Sequence, residues 1–191
     1  MKTPSIKGSF MQLLVASVQE RMKRGRITQG DLEAALTPED LRILEEPVRP
    51  GSWYPVATED RLLRLLMAKE GHGNVEYLIE AGRLSADRVI ALGIYDQLKP
   101  ENAQRLGDRF GPFLNTLAAA AHNFTRWRFT GTMERFRIEV TEAADYPDAV
   151  RYTGQGFIER CFAYTTGRRV TVTSTREAVD RVVFEGRSEP V

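Results

Sequence analysis

Along the first two thirds of the chain apolar residues recur at three- and four-residue steps, the period of a helix with one buried face. Between Ser9 and Lys23 they fall at Phe10, Leu13, Leu14, Val18 and Met22, which predicts an amphipathic helix ended near Gly25. Two short helices are expected next, "TQGDLEAAL" and "TPEDLRILEE". In the second, Thr37 is placed to cap, Pro38 suits the first turn, and the acidic residues after it favour the positive end of the helix dipole. "PVRPGSWYP" interrupts the pattern and reads as an ordered loop around Trp53 and Tyr54, two aromatics costly to leave in water. From Thr58, "TEDRLLRLLMAKE" sets apolar residues around more than half the helix circumference, so this helix should be central. "GHGN" breaks it and "VEYLIEAG" adds two turns. "SADRVIALGIYDQL" then predicts a helix capped by Ser85, with Val89, Ile90, Leu92, Ile94 and Tyr95 inward. "KPENAQRLGDRFGPFLNTLAAAAHNF" begins another, which Pro112 can kink or split.

After Asn123 the period changes to two. Trp127 and Phe129, then Phe136, Ile138 and Val140, alternate with Arg, Thr and Glu, broken near Gly131. This predicts a short strand, a turn and a longer strand. "DYPDAVRYTGQG" is expected to be a connector. Phe157, Cys161 and Tyr164 follow at i, i+4 and i+7 as a helix that Gly167 ends in the left-handed conformation. "RVTVTST" and "RVVFEG" form a second strand pair. The class is therefore α+β: a single domain over 1–191, mainly helical over 1–125 and strand–strand–helix–strand–strand over 126–191. An N-terminal helical layer packs on a small antiparallel sheet of about four strands, with one helix between two hairpins. Alternation leaves the other sheet face polar, and a sheet edge could pair between subunits.

Charge narrows the partners. Lys plus Arg number 27 against 26 Asp plus Glu, a net +1, so neither nucleic acid nor an anionic membrane is expected to bind. No stretch approaches the ~20 apolar residues of a membrane span. No signal peptide is expected either, because Gln12 and Ser17 interrupt the N-terminal apolar run and no small-residue cleavage site follows. One cysteine cannot form an internal bridge, which makes a cytoplasmic location the expectation.

Candidate chemistry is sparse. His72 and His122 are the only histidines, and neither has a Cys, His or carboxylate at i+3 or i+4 to make a helical metal pair, so both read as loop or cap residues. Cys161 lies on the apolar face of its helix and reads as a small buried hydrophobe. "GQG" opens the predicted helix, where free amides could hold an anion, although a purely structural helix start explains it as well. "KRGR" complements a helix C-terminus. The aromatics Trp53, Tyr54, Trp127, Phe129, Phe136, Tyr152, Phe157, Phe162 and Tyr164 gather at the inferred helix–sheet boundary, where such residues fill a core or line an apolar pocket.

"GFIERCFAYTTGRRVTVTST" and "RVVFEGR" resemble the 4-vinyl reductase domain, whose superfamily also holds haem nitric-oxide binding domains and Golgi transport-particle subunits. "IKGSFMQLL", "SWYPV" and "YLIEAGRLSAD" resemble a paralogous family of deltaproteobacterial proteins within the same group. The resemblance implies a helical layer on a twisted four-stranded sheet, dimerisation, and ligand or protein binding in place of catalysis. The last hairpin lacks the cysteines that ligand-binding members carry, and neither the haem relatives' Tyr-x-Ser-x-Arg motif nor a histidine in a suitable helix is present. No metal and no cofactor are therefore expected. The expected function is a non-enzymatic sensor or adaptor, dimeric or bound to a protein partner, enclosing a small apolar ligand. Trp127, Phe129, Phe157 and Tyr164 would line the pocket near Cys161, and Trp53 with Tyr54 would close it. The alternatives are a protein-interaction module with a solid core and an acid–base enzyme using the same pocket.

Overall fold

The computed structural model describes residues 3–91, 110–132 and 134–190, the side chains of 110–114 excepted. Two short strands precede the first and fourth helices: β1 (Ser5–Lys7) leads into α1 (Gly8–Lys23), and β2 (Trp53–Pro55) into α4 (Val56–Glu70). Between them lie α2 (Gln29–Ala35) and α3 (Pro38–Glu45), each opened by a Thr–Asp capping box, Thr28 with Asp31 and Thr37 with Asp40. Thr37 and Pro38 thus take the positions expected of them. The tail of "PVRPGSWYP" is not a loop: β2 pairs antiparallel with β1, Ile6 opposite Tyr54. Strands of three residues carry too little alternation to be read from a sequence. Gly8 N donates to Ser52 O and Val56 N to Pro4 O, so α1 and α4 start side by side.

α5 (Glu76–Ala91) is one helix where two were expected, and Ser85 lies inside it, not at a cap. The inward positions expected at Leu92, Ile94 and Tyr95 lie outside the described residues, as does the start of the next predicted helix. α6 runs Phe110–Ala121 through Pro112 without splitting. β3 (Arg126–Gly131) and β4 (Arg135–Thr141) follow as expected. α7 (Asp148–Thr166) begins eight residues before Gly156, so most of the expected connector is helical, and Gly167 ends it with φ 64°. "GQG" is therefore mid-helix, its amides serve the helix ladder, and it offers no anion site. The glycines are there for packing. A Cβ on Gly156 would stand 1.8 Å from Ile79 O of α5, and one on Gly82 would stand 2.0 Å from Thr153 O of α7.

β5 (Arg169–Ala178) and β6 (Arg181–Glu189) complete an antiparallel sheet of order β3-β4-β6-β5, the α+β arrangement expected. On its inner face Phe136, Ile138 and Val140 oppose Gly186, Phe184 and Val182. Gly186 makes room for the Phe136 ring, which lies 2.0 Å from where a Cβ would be and stacks on Phe162 of α7 at 3.8 Å. The outer face is polar: Arg137 pairs with Glu177 and Glu185, and Arg181 with Glu139. α7 thus lies between the sheet and the N-terminal helices, with one apolar cluster on the sheet side and a second among α1–α4.

Candidate functional site

Where α7 meets the N-terminal helices, five helices leave a cavity of about 270 Å³ between them. α1 contributes Phe10, Leu13 and Leu14, and α5 contributes Ala81 and Leu84. Leu117 and Ala118 enter from α6, and Val150, Phe157 and Ile158 from α7. On α4 the lining residues are Glu59, Leu63 and Leu66, spaced i, i+4, i+7, so one helix face about 10 Å long forms this wall. The walls are mainly apolar.

Polar groups sit at the two ends. α1 and α4 run together from their shared start, and at the far end Arg21 Nε lies 3.7 Å from Glu70, while its Nη2 donates to Tyr77 Oη at 3.3 Å. At the near end stand Glu59 and His122, 8 % and 9 % exposed. His122 Nε2 lies 3.9 Å from Glu59 Oε2, beyond hydrogen-bond reach. Glu59 Oε2 and both His122 ring nitrogens are buried and have no hydrogen-bond partner among the described residues. The backbone fixes this histidine, whose N–H donates to Ala118 O and which bridges Ile6 of β1. Phe124 and Tyr146 flank its ring edge-to-face at 5.8 and 5.4 Å. Tyr146 is fully buried; burial first, and the Glu59 charge second, push its phenol up, so it stays protonated. Arg176 holds it in place by donating to the carbonyls of Tyr146 and Ala143.

Of the residues proposed from sequence, Trp127 and Phe157 line this cavity. Phe129 instead stacks on Phe136 and Phe162 in the sheet-side core. Cys161 is buried in that core and Tyr164 packs against it. Burial pushes the Cys161 thiol up to about 12, far from a reactive thiolate. Trp53 is 41 % exposed with Lys7 over its ring, and Tyr54 joins the N-terminal cluster, where its hydroxyl accepts from Arg49 N at 2.9 Å. His72 is an exposed loop residue with φ 51°, whereas His122 stands in the cavity wall. No group of three or more side chains able to hold a metal occurs among the described residues. Sequence reading missed Glu59 and Tyr146. The available signal was Glu59 itself, a carboxylate on the same face as Leu62, Leu63 and Leu66, which is readily taken for a first-turn acid favouring the dipole.

No family model and no curated protein matches the chain. Solved structures do. The Fe(II) unliganded H-NOX protein from K. algicida superposes with a TM-score of 0.59 at 13% identity, covering 97% of this chain and 98% of that one. An isoleucine-to-phenylalanine mutant of T. tengcongensis H-NOX gives 0.58 at 14%, over 97% and 100%. An H-NOX structure concerned with heme distortion gives 0.58 at 13%, over 97% of each. The chain has the fold of H-NOX domains. None of its described helices is long and apolar enough to cross a membrane.

Proposed function

We propose that this H-NOX-fold domain is a non-enzymatic sensor module. It takes a small, mainly apolar molecule into the cavity between α7 and the N-terminal helices and signals occupancy to a protein partner or a second copy of the chain. The cavity carries this reading, since five helices converge on an apolar space that they leave unfilled, where cores normally pack without voids. The likeness to H-NOX domains and the sequence resemblance to the 4-vinyl reductase group, both pointing to small-ligand binding, support it. The polar outer face and the edge strands β3 and β5 are the surfaces suited to a partner.

The heme named for those neighbours does not fit these walls. About 270 Å³ is below the ~300 Å³ at which pockets for drug-sized ligands begin, and a tetrapyrrole is larger than most such ligands. His122, the one histidine in the described lining, turns Nε2 toward Glu59. Binding is also better supported than acid–base catalysis, because Tyr146 is held protonated and Cys161 is sealed in the core.

Ala81, on the α5 wall, tests the cavity. Ala81→Phe should fill it, abolishing uptake of naphthalene in fluorescence titration while leaving the cooperative unfolding transition in place. Native mass spectrometry of wild-type protein should show one small molecule bound, copurified or added. Bare polypeptide in every preparation, together with no naphthalene uptake, would sink the proposal.

A further inference from the structure

The near end of the cavity defines the chemistry of the ligand, an inference that rests on the cavity being a ligand site. Two side chains there are nine-tenths buried and lack partners among the described residues: Glu59 through Oε2, and His122 through both ring nitrogens. Buried polar groups are almost always satisfied, and each orphan costs its full desolvation. Asp40 and Arg151, buried as deeply, do obey this rule. Asp40 accepts from Thr58 and twice from Arg61, and Arg151 donates to Ser174 and Asp148. Glu59 and His122 line the cavity, so what completes them enters through it.

We infer that the ligand is an apolar molecule ending in one hydroxyl, an alcohol or phenol, which donates to Glu59 and accepts from His122. The two side chains, 3.9 Å apart, present a carboxyl oxygen that accepts and an imidazole N–H that donates. A hydroxyl, which donates and accepts through one atom, serves both at once. A ligand carboxylate placed at this end would set a second anion against Glu59, and a pure hydrocarbon would leave both groups orphaned. Size follows from volume: a cavity of about 150 Å³ takes benzene, so about 270 Å³ takes about eleven non-hydrogen atoms in proportion.

The test uses three probes on protein stripped of copurifying small molecules on a hydrophobic resin: 2-naphthol, 2-methylnaphthalene of equal size, and 2-naphthoate. By isothermal titration 2-naphthol should bind about tenfold or more tighter than 2-methylnaphthalene, the worth of a hydrogen bond to a charged group, and 2-naphthoate should bind weakest. Glu59→Met and His122→Phe should each retain 2-methylnaphthalene, lose the hydroxyl preference to within about twofold, and match or exceed the wild-type Tm, since an orphaned polar group is removed. Equal binding of 2-naphthol and 2-methylnaphthalene would mean that solvent satisfies the pair, overturning the inference while leaving the ligand cavity standing. Tightest binding of 2-naphthoate, or a hydroxyl preference that survives both substitutions, would overturn it as well. Failure of all three probes would remove the cavity reading and this inference together.

Discussion

Asp40 and Glu59 are buried carboxylates that lie close together in the fold, and the contrast between them separates structure from function. Asp40 is 1 % exposed and fully partnered: it closes the Thr37 capping box, accepts from Thr58 Oγ1 at 2.6 Å and takes Arg61 at 2.6 and 2.9 Å. Burial alone would raise its pKa, but the Arg61, Thr58 and Thr37 donors outweigh burial and hold the carboxyl well below the usual carboxylate range. With the folded pKa below the unfolded value near ~3.9, this stabilisation is complete at neutral pH and lost as the pH falls below about 5. Asp40→Asn should therefore cost about 2–3 kcal/mol in urea unfolding at neutral pH. The gap to wild type should narrow as the pH is taken towards about 2. A gap independent of pH would contradict this. Glu59, by contrast, has no such donors. The fold tolerates it, and the ligand hydroxyl proposed above would supply the missing donor.

The decisive element contact is the crossing of α5 on α7. Gly82 and Gly156 let the two backbones approach until no side chain fits between them, and Glu159 ties the layers by accepting from Arg83 Nε at 2.7 Å and from Val172 N of β5 at 3.0 Å. Because both helices also wall the cavity, this crossing sets its width. Gly156→Ala drives a Cβ to 1.8 Å from a carbonyl that cannot swing aside. It should lower stability by about 1–3 kcal/mol by thermal unfolding and weaken probe binding in parallel. Gly154→Ala meets side chains and no backbone, the Tyr146 hydroxyl at 3.2 Å and the Phe184 ring at 3.5 Å, and should be much milder. Equal effects at the two positions would show that helix propensity, not the crossing, governs the cost. In the sequence these same glycines read as a helix break and a helix start, because a residue without a side chain looks identical whether it ends an element or lets another one in.

For the whole molecule, the sheet divides inside from outside. Its inner face is sealed by α7, while the outer one carries exposed ion pairs such as Arg137 with Glu177 and Glu185. Exposed pairs contribute little, so Arg137→Glu should change stability by no more than about 1 kcal/mol. If the partner or second copy docks on this face, sedimentation velocity should show association lost in the variant. Association equal to wild type would move the partner surface elsewhere on the fold.

The amino-acid sequence by itself determined the element types and their order of class: a period near 3.6 up to Asn123, a period of two after it, the Thr37 cap, the Gly167 stop and the polar outer sheet face. These are local or periodic signals, written in neighbouring residues. The tertiary structure decided what those signals surround. Trp53 and Phe129 were drawn into the expected pocket by their chemistry, yet one lies on the surface and the other in the sheet-side core, because aromaticity marks burial and not which of two apolar spaces is filled. Glu59, His122 and Tyr146 are scattered along the chain from α4 to the start of α7. Only the β1 bridge, the Arg176 clamp and the α5–α7 crossing bring them to one end of one cavity, and contact between residues so far apart leaves no trace in local spacing.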